Sequence, residues 1–170
     1  TFFSPLAALN HAGEGPEFGL VQSEVSGYNG VDWRRHIFWG KGRFIAVVDQ
    51  LRCTVPGTYA CRCLWRLIGE VEQQANQTRL HQQGEHFFIR HAGAVDQEVV
   101  PDLHEAGYWN GYPYADPVPQ VLHQKSTRTL QSGEDLGFVN LFTPHEDIQV
   151  ERLDELVVRG VDKERQIILG

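Results

Sequence analysis

The chain has 170 residues and a mass of 19.3 kDa, the usual size of one domain, long enough to bury roughly two thirds of the surface its unfolded form exposes. It is 41% hydrophobic and 22% charged, and no apolar run approaches the 18 or so residues of a membrane helix, which excludes the disordered and helically membrane-inserted classes. A net charge of -7 argues against sequence-independent binding of nucleic acid by the whole surface, and the lack of any Met or signal-like leader predicts a processed chain or a fragment.

Residues 1–17 contain Pro5, Asn10, Gly13, Gly15 and Pro16 and keep no period of 2 or 3.6, so they read as a lead-in to a single β-sandwich domain over 18–170. Tyr28 and Asn29, between Gly27 and Gly30, read as turn residues rather than catalytic ones. Alternation then predicts strands over 31–39 and 43–51, joined by Gly40-Lys41-Gly42. A type II turn at Val55-Pro56-Gly57-Thr58 leads into a third strand over 58–67, completing a meander. Leu64, Leu67, Ile68, Val71 and Ala75 fall at helical spacing, but Gly69 would weaken such a helix by about 1 kcal/mol, and the strand reading is kept to residue 67. Further β-like runs lie at 78–81, 86–91, 120–130, 136–142, 148–153, 155–161 and 166–169. So many short strands predict an all-β fold, an antiparallel β-sandwich rather than a parallel α/β sheet. The stretch 101–119, with Tyr108, Trp109, Tyr112 and Tyr114, reads as a long aromatic loop that either stacks on sugar rings or plugs one end of the sandwich.

The three cysteines, Cys53, Cys61 and Cys63, are too few and odd in number for a disulfide framework. They read as small buried hydrophobes on adjacent strands, with a bridge from Cys53 as the alternative. Cys61 and Cys63 share a strand face about 7 Å apart, and no CxxC pair supports zinc there.

Charge is unevenly placed. Seven basic residues (Arg34, Arg35, Lys41, Arg43, Arg52, Arg62, Arg66) and one acid, Asp49, make the window 34–66 a +6 region in a chain that is otherwise -13. In a strand, Trp33, Arg35, Ile37 and Trp39 share one face and Arg34, His36 and Phe38 the other. Interleaved guanidinium forks and flat rings suit an acidic sugar polymer, with Arg34, Arg35, Arg43, Trp109 and Tyr112 as the candidate contacts. The alternative is that the tryptophans are core and the arginines a solvated outer face. The eight histidines are scattered singly, and His36 with Asp49 across the hairpin is the best metal or acid–base pair they offer. No GxSxG, Walker, GxGxxG or HxH pattern is present, which removes the commonest hydrolase, nucleotide and cupin readings.

The run Arg34-Arg35-His36-Ile37-Phe38-Trp39-Gly40-Lys41-Gly42-Arg43, the strand ending Val47-Val48-Asp49, the turn Val55-Pro56-Gly57-Thr58-Tyr59 and the later Phe138-Val139-Asn140-Leu141-Phe142-Thr143-Pro144 together resemble a known family. They are similar to the C-terminal, supersandwich-like β-sandwich of heparinase II/III-like and related alginate polysaccharide lyases, over roughly residues 18–170. The resemblance implies contact with uronate-containing polysaccharide such as a glycosaminoglycan or alginate, in the periplasm or outside the cell. It also implies a β-elimination whose machinery sits mostly in a preceding helical toroid. This chain alone is then a non-catalytic portion, and whether it is itself an enzyme is left open, with a carbohydrate-binding or structural module as the alternative. The resemblance further implies a metal, zinc being the candidate, held by two His and one Asp. Asp49 matches the acidic position, whereas Trp33 and Trp65 stand where the histidines are common.

Overall fold

Alternating apolar and polar side chains between Val31 and Thr143 set up strands that must bury one face, and the chain meets that demand with three antiparallel sheets. The computed structural model describes residues 7–93, 95–102, 118–152, 158–161 and 166–169. All regular structure among them is β.

The large sheet has eight strands: β1 (Ala8–Glu14), β2 (Phe18–Tyr28), β3 (Val31–Gly40), β4 (Phe44–Cys53), β6 (Glu70–Gln74), β7 (Gln77–Gln82), β8 (Glu85–Ala92) and β11 (Asp135–Thr143), in the order β1-β2-β3-β4-β11-β8-β7-β6. A covering sheet is formed by β5 (Gly57–Leu67), β9 (Asp96–Pro101) and β10 (Gln120–Leu130), in the order β5-β10-β9. A small third sheet holds β12 (Gln149–Arg152), β13 (Val158–Val161) and β14 (Gln166–Leu169).

Two clusters lie between the large and covering sheets. Leu51, Cys53, Leu136 and Phe138 meet Tyr59, Cys63 and Leu130, while Leu80, Ile89 and Phe142 meet Leu67 and Leu122, with Trp65 packed against both groups. The covering sheet therefore sits over β4, β11, β8 and β7. Strands β1 to β3 project past its β5 edge, and Leu9, Val21 and Trp39 on that projection are exposed. On the opposite face of the large sheet, Phe44, Ala46, Leu141 and Val139 are covered by Ile148 and Val150. The Arg90 guanidinium fixes this cover by donating to the carbonyls of His145, Glu146 and Ile148 and, through Nε, to Gln77 Oε1 at 2.8 Å.

Three expectations change, and the strand reading to residue 67 holds. Residues 8–14 are not a lead-in but the edge strand β1, paired to β2 with a bulge between Leu9 and His11; every residue of β1 is exposed, so it has no buried face to show in its sequence. The predicted meander is interrupted, because β3 and β4 form a hairpin while residues 54–56 carry the chain across to the covering sheet. Gly57 is not among the glycines with positive φ, so the Pro56-Gly57 step is not the type II turn expected, and Gly57 starts β5. The helical spacing after Leu64 is broken at Gly69, whose φ of 110° brings the chain so close to β7 that a Cβ would lie 2.5 Å from the His81 carbonyl oxygen. Strands β5 and β6 flank it. Tyr108, Trp109, Tyr112 and Tyr114 lie outside the described residues.

Candidate functional site

The β3–β4 hairpin owes its register to the Gly40–Arg43 turn, where Gly42 has a φ of 73° and the Arg43 amide donates to the Gly40 carbonyl at 3.0 Å. That register sets Arg35 opposite Asp49 and His36 opposite Val48. Because neighbours along a strand point to opposite faces, Arg35, Trp33 and Asp49 turn toward the covering sheet, and Arg34 and His36 turn away from it.

Asp49 is 2% exposed and its carboxylate is saturated by donors. Arg35 Nε donates to Oδ1 at 2.7 Å, Arg35 Nη2 to Oδ2 at 2.9 Å, and Trp33 Nε1 to Oδ1 at 2.8 Å. The guanidinium carbon lies 5.3 Å from the Trp33 ring centre and 5.6 Å from that of Trp65 on β5, cation–π distances. Asp49 thus holds Arg35 firmly in its charged form. Cys63 Sγ stands 3.9 Å from Asp49 Oδ2, and burial, reinforced by the Asp49 charge, pushes its thiol up to about 12.

This cluster forms one wall of a cleft of about 540 Å³ at the β5 edge, lined also by Tyr28, Asn29, Tyr59 and Arg62. Gly27, Asn29 and Gly30 all take positive φ to make the tight turn at its mouth, and Asp32 Oδ1 accepts from the Gly27 amide at 2.8 Å. Tyr59 closes the end by donating its hydroxyl toward the carbonyls of Gly30 and Val55. Tyr28 is exposed, its ring centre 6.2 Å from that of Trp33 and tilted 47° to it. The arrangement offers a cation, two ring faces and an amide to a ligand.

Among the sequence candidates that lie within the described residues, Arg35 and Asp49 come together here. Arg34 is on the other face, paired with Glu24 at 2.8 Å. His36 shares that face, and burial, then the Arg34 charge, push its imidazole below the ordinary range. The proposed His36–Asp49 pair is therefore not assembled, since the two side chains leave the sheet in opposite directions. Arg43 sits at the hairpin tip, about 17 Å along the strands from Arg35, where its carbonyl accepts from Thr143 Oγ1 at 2.7 Å. Trp109 and Tyr112 lie outside the described residues. Tyr28, Asn29, Tyr59 and Arg62 are the cleft residues that the sequence reading did not assemble; a crossover from β4 to β5 brings them together.

The +6 region is also answered by acids from elsewhere in the chain. Lys41 pairs with Glu14, Arg34 with Glu24, and Arg66 with Asp102, while Arg35 takes the one acid of its own window.

The metal centre implied by the family resemblance does not fit these residues. Asp49 has its two oxygens committed to three N–H donors. Trp33 and Trp65 present indole N–H groups, which carry no lone pair for a metal. Among the described residues no group of three His, Cys, Asp or Glu side chains is arranged to hold an ion.

No family model and no curated protein matches the sequence, but solved structures match the fold. A crystal structure of the heparan sulfate lyase HepC from Pedobacter heparinus superposes with a TM-score of 0.70 at 12% identity, covering 96% of this chain and 27% of that one. A heparinase III crystal structure gives 0.69 at 16% identity with the same coverage, and a second heparinase III gives 0.68 at 9%. The chain has the fold of a heparinase III-like C-terminal β-sandwich and spans 27% of the length of the structures it matches.

Proposed function

We propose that this chain is the β-sandwich domain of a polysaccharide lyase-like protein, and that it contacts uronate-containing polysaccharide at the β5-edge cleft without cleaving it alone. The carrying observation is the Arg35 guanidinium. Its Nε and Nη2 edge is locked on Asp49, its side chain is still 33% exposed, and its Nη1 makes no hydrogen bond among the described residues. Such a preoriented group can meet a sugar carboxylate or sulfate, with the rings of Tyr28 and Trp33 against the pyranose. Arg34 and Arg43 fall outside that contact, whereas Trp109 and Tyr112 stay in the proposal as loop residues that stack on the same polymer.

Elimination chemistry is assigned to a helical domain outside these 170 residues, a division supported by the 27% span of the matching structures. Neither nucleic acid nor membrane insertion is part of the reading, and no helix among the described residues is long and apolar enough to cross a membrane. A periplasmic or extracellular location, where such polymers are met, goes with it.

The ion pairing of Lys41, Arg34 and Arg66 favours a second reading, a module for a neutral glycan held by ring stacking. Titration against alginate, heparan sulfate, chondroitin, hyaluronan, polygalacturonate and neutral glycans at low and high salt separates the two. Binding to an acidic polymer that weakens with salt, and no growth of 4,5-unsaturated product absorbance, is expected. Salt-insensitive binding of a neutral glycan that depends on Tyr28 would establish the second reading, and product formation by the chain alone would overturn the non-catalytic assignment.

A further inference from the structure

We infer that the cation of this sandwich is built into the chain: the Arg35 guanidinium, clamped between Trp33 and Trp65 on the Asp49 carboxylate, ties β3, β4 and β5 together and leaves the site with no use for a metal ion.

Three observations carry this. The only carboxylate in the cluster, Asp49, is 2% exposed and receives hydrogen bonds at 2.7, 2.8 and 2.9 Å from Arg35 and Trp33. A divalent ion would have to displace a bidentate, charge-assisted pair to reach it. Besides Arg35, the side chains shown against Asp49 are the Trp33 indole, which has no lone pair to give, the buried Cys63 thiol at 3.9 Å, and the Phe138 ring opposite it on β11. Finally, the guanidinium does mechanically what a shared metal would do. It bonds from β3 to a residue of β4 and stacks on an indole of β5, across the gap between the large and covering sheets. A planar group of fixed positive charge suits this task, because its faces meet the rings while its edge meets the carboxylate.

The test is independent of whether the cleft binds glycan. The full 170-residue chain is purified without chelator, its metal content is measured by mass spectrometry, and its Tm is followed with EDTA and with added Zn2+, Co2+ or Ca2+. The expected result is substoichiometric metal and an unchanged Tm, with Arg35→Ala lowering Tm by roughly 5 to 10 °C because Asp49 is left buried and underpaired. Arg35→Lys, which restores the charge without the fork, recovers part of the loss. One equivalent of metal whose removal by EDTA lowers Tm would overturn the inference on the unmodified chain alone. An Arg35→Ala variant as stable as the parent would overturn it too.

Discussion

Gln124 of β10 and Asn140 of β11 exchange two side-chain hydrogen bonds across the gap between the sheets, at 2.7 and 2.9 Å, with exposures of 1% and 0%. Each amide satisfies the other where no water reaches. Replacing either with Leu strands a polar partner in the core, and a loss of about 1–3 kcal/mol is expected in urea unfolding. The double replacement, which removes both amides, should cost clearly less than the two singles combined. A double variant whose loss equals the sum would show that the amides act independently.

His91 lies across the strand pair from Asn140, and burial pushes its imidazole below 6.5, opposed by a hydrogen bond to the Asn76 carbonyl. His36 is shifted the same way. As pH falls through 6.5 the unfolded chain takes up protons that the folded chain refuses, so stability falls with pH until the native rings themselves protonate. A second loss begins below 4.5, where the carboxylates of Glu14, Glu24 and Glu98, held low by Lys41, Arg34 and Lys125, give up their pairs. Tm measured between about pH 8 and pH 5 should decline, and His91→Gln should flatten the decline. An identical slope in the variant would assign the effect elsewhere.

The cysteines should differ in reactivity. Cys53 and Cys63 are buried and Cys61 is half-buried, all three as free thiols. With its thiol pushed up to about 12, Cys63 has almost no thiolate at neutral pH. Native alkylation with iodoacetamide, read by mass spectrometry, should modify Cys61 first and Cys63 only after unfolding in guanidinium chloride. Fast native labelling of Cys63 would mean that the cluster around Asp49 opens readily.

Arg34 and Arg35 separate the two faces of the basic region. Arg34 is a half-buried partner of Glu24 on the face away from the cleft, so Arg34→Ala should cost about 1 kcal/mol of stability or less and change acidic-glycan affinity by less than about twofold. Arg35 lines the cleft, and Arg35→Lys, which keeps the charge but loses the fork, should weaken that binding. The reverse ranking, measured by titration, would move the glycan contact to the other face of the large sheet.

Much of this fold could be read from local pattern. Strand β10 runs from Gln120 to Leu130 as the alternation predicts, and Gly40-Lys41-Gly42 does make the β3–β4 turn. The shared face of Trp33 and Arg35 follows from period two alone. What could not be read was pairing at a distance. Glu14, Glu24 and Asp102 neutralise the basic window from β1, β2 and the end of β9, and nothing in their neighbourhoods announces those partners. Strand β1 was hidden because both of its faces meet solvent, which removes the alternation on which detection rests. The cleft was hidden for a related reason: β5 leaves the hairpin for the other sheet, so Cys63 and Trp65 approach Asp49 and Arg35 from above and not from the neighbouring strand.

The bulge in β1 bears on solubility. A free sheet edge is a template on which another chain can add a strand, and β1 is such an edge, with β2 as its one partner among the described residues. The interruption between Leu9 and His11, with the Asn10 amide turned onto Glu24 at 3.0 Å, breaks the regular row of backbone groups that an incoming strand must match. The other edge, β6, is five residues long and carries Glu70 and Glu72, so a second copy of this sheet finds a kinked border on one side and a short, negatively charged one on the other.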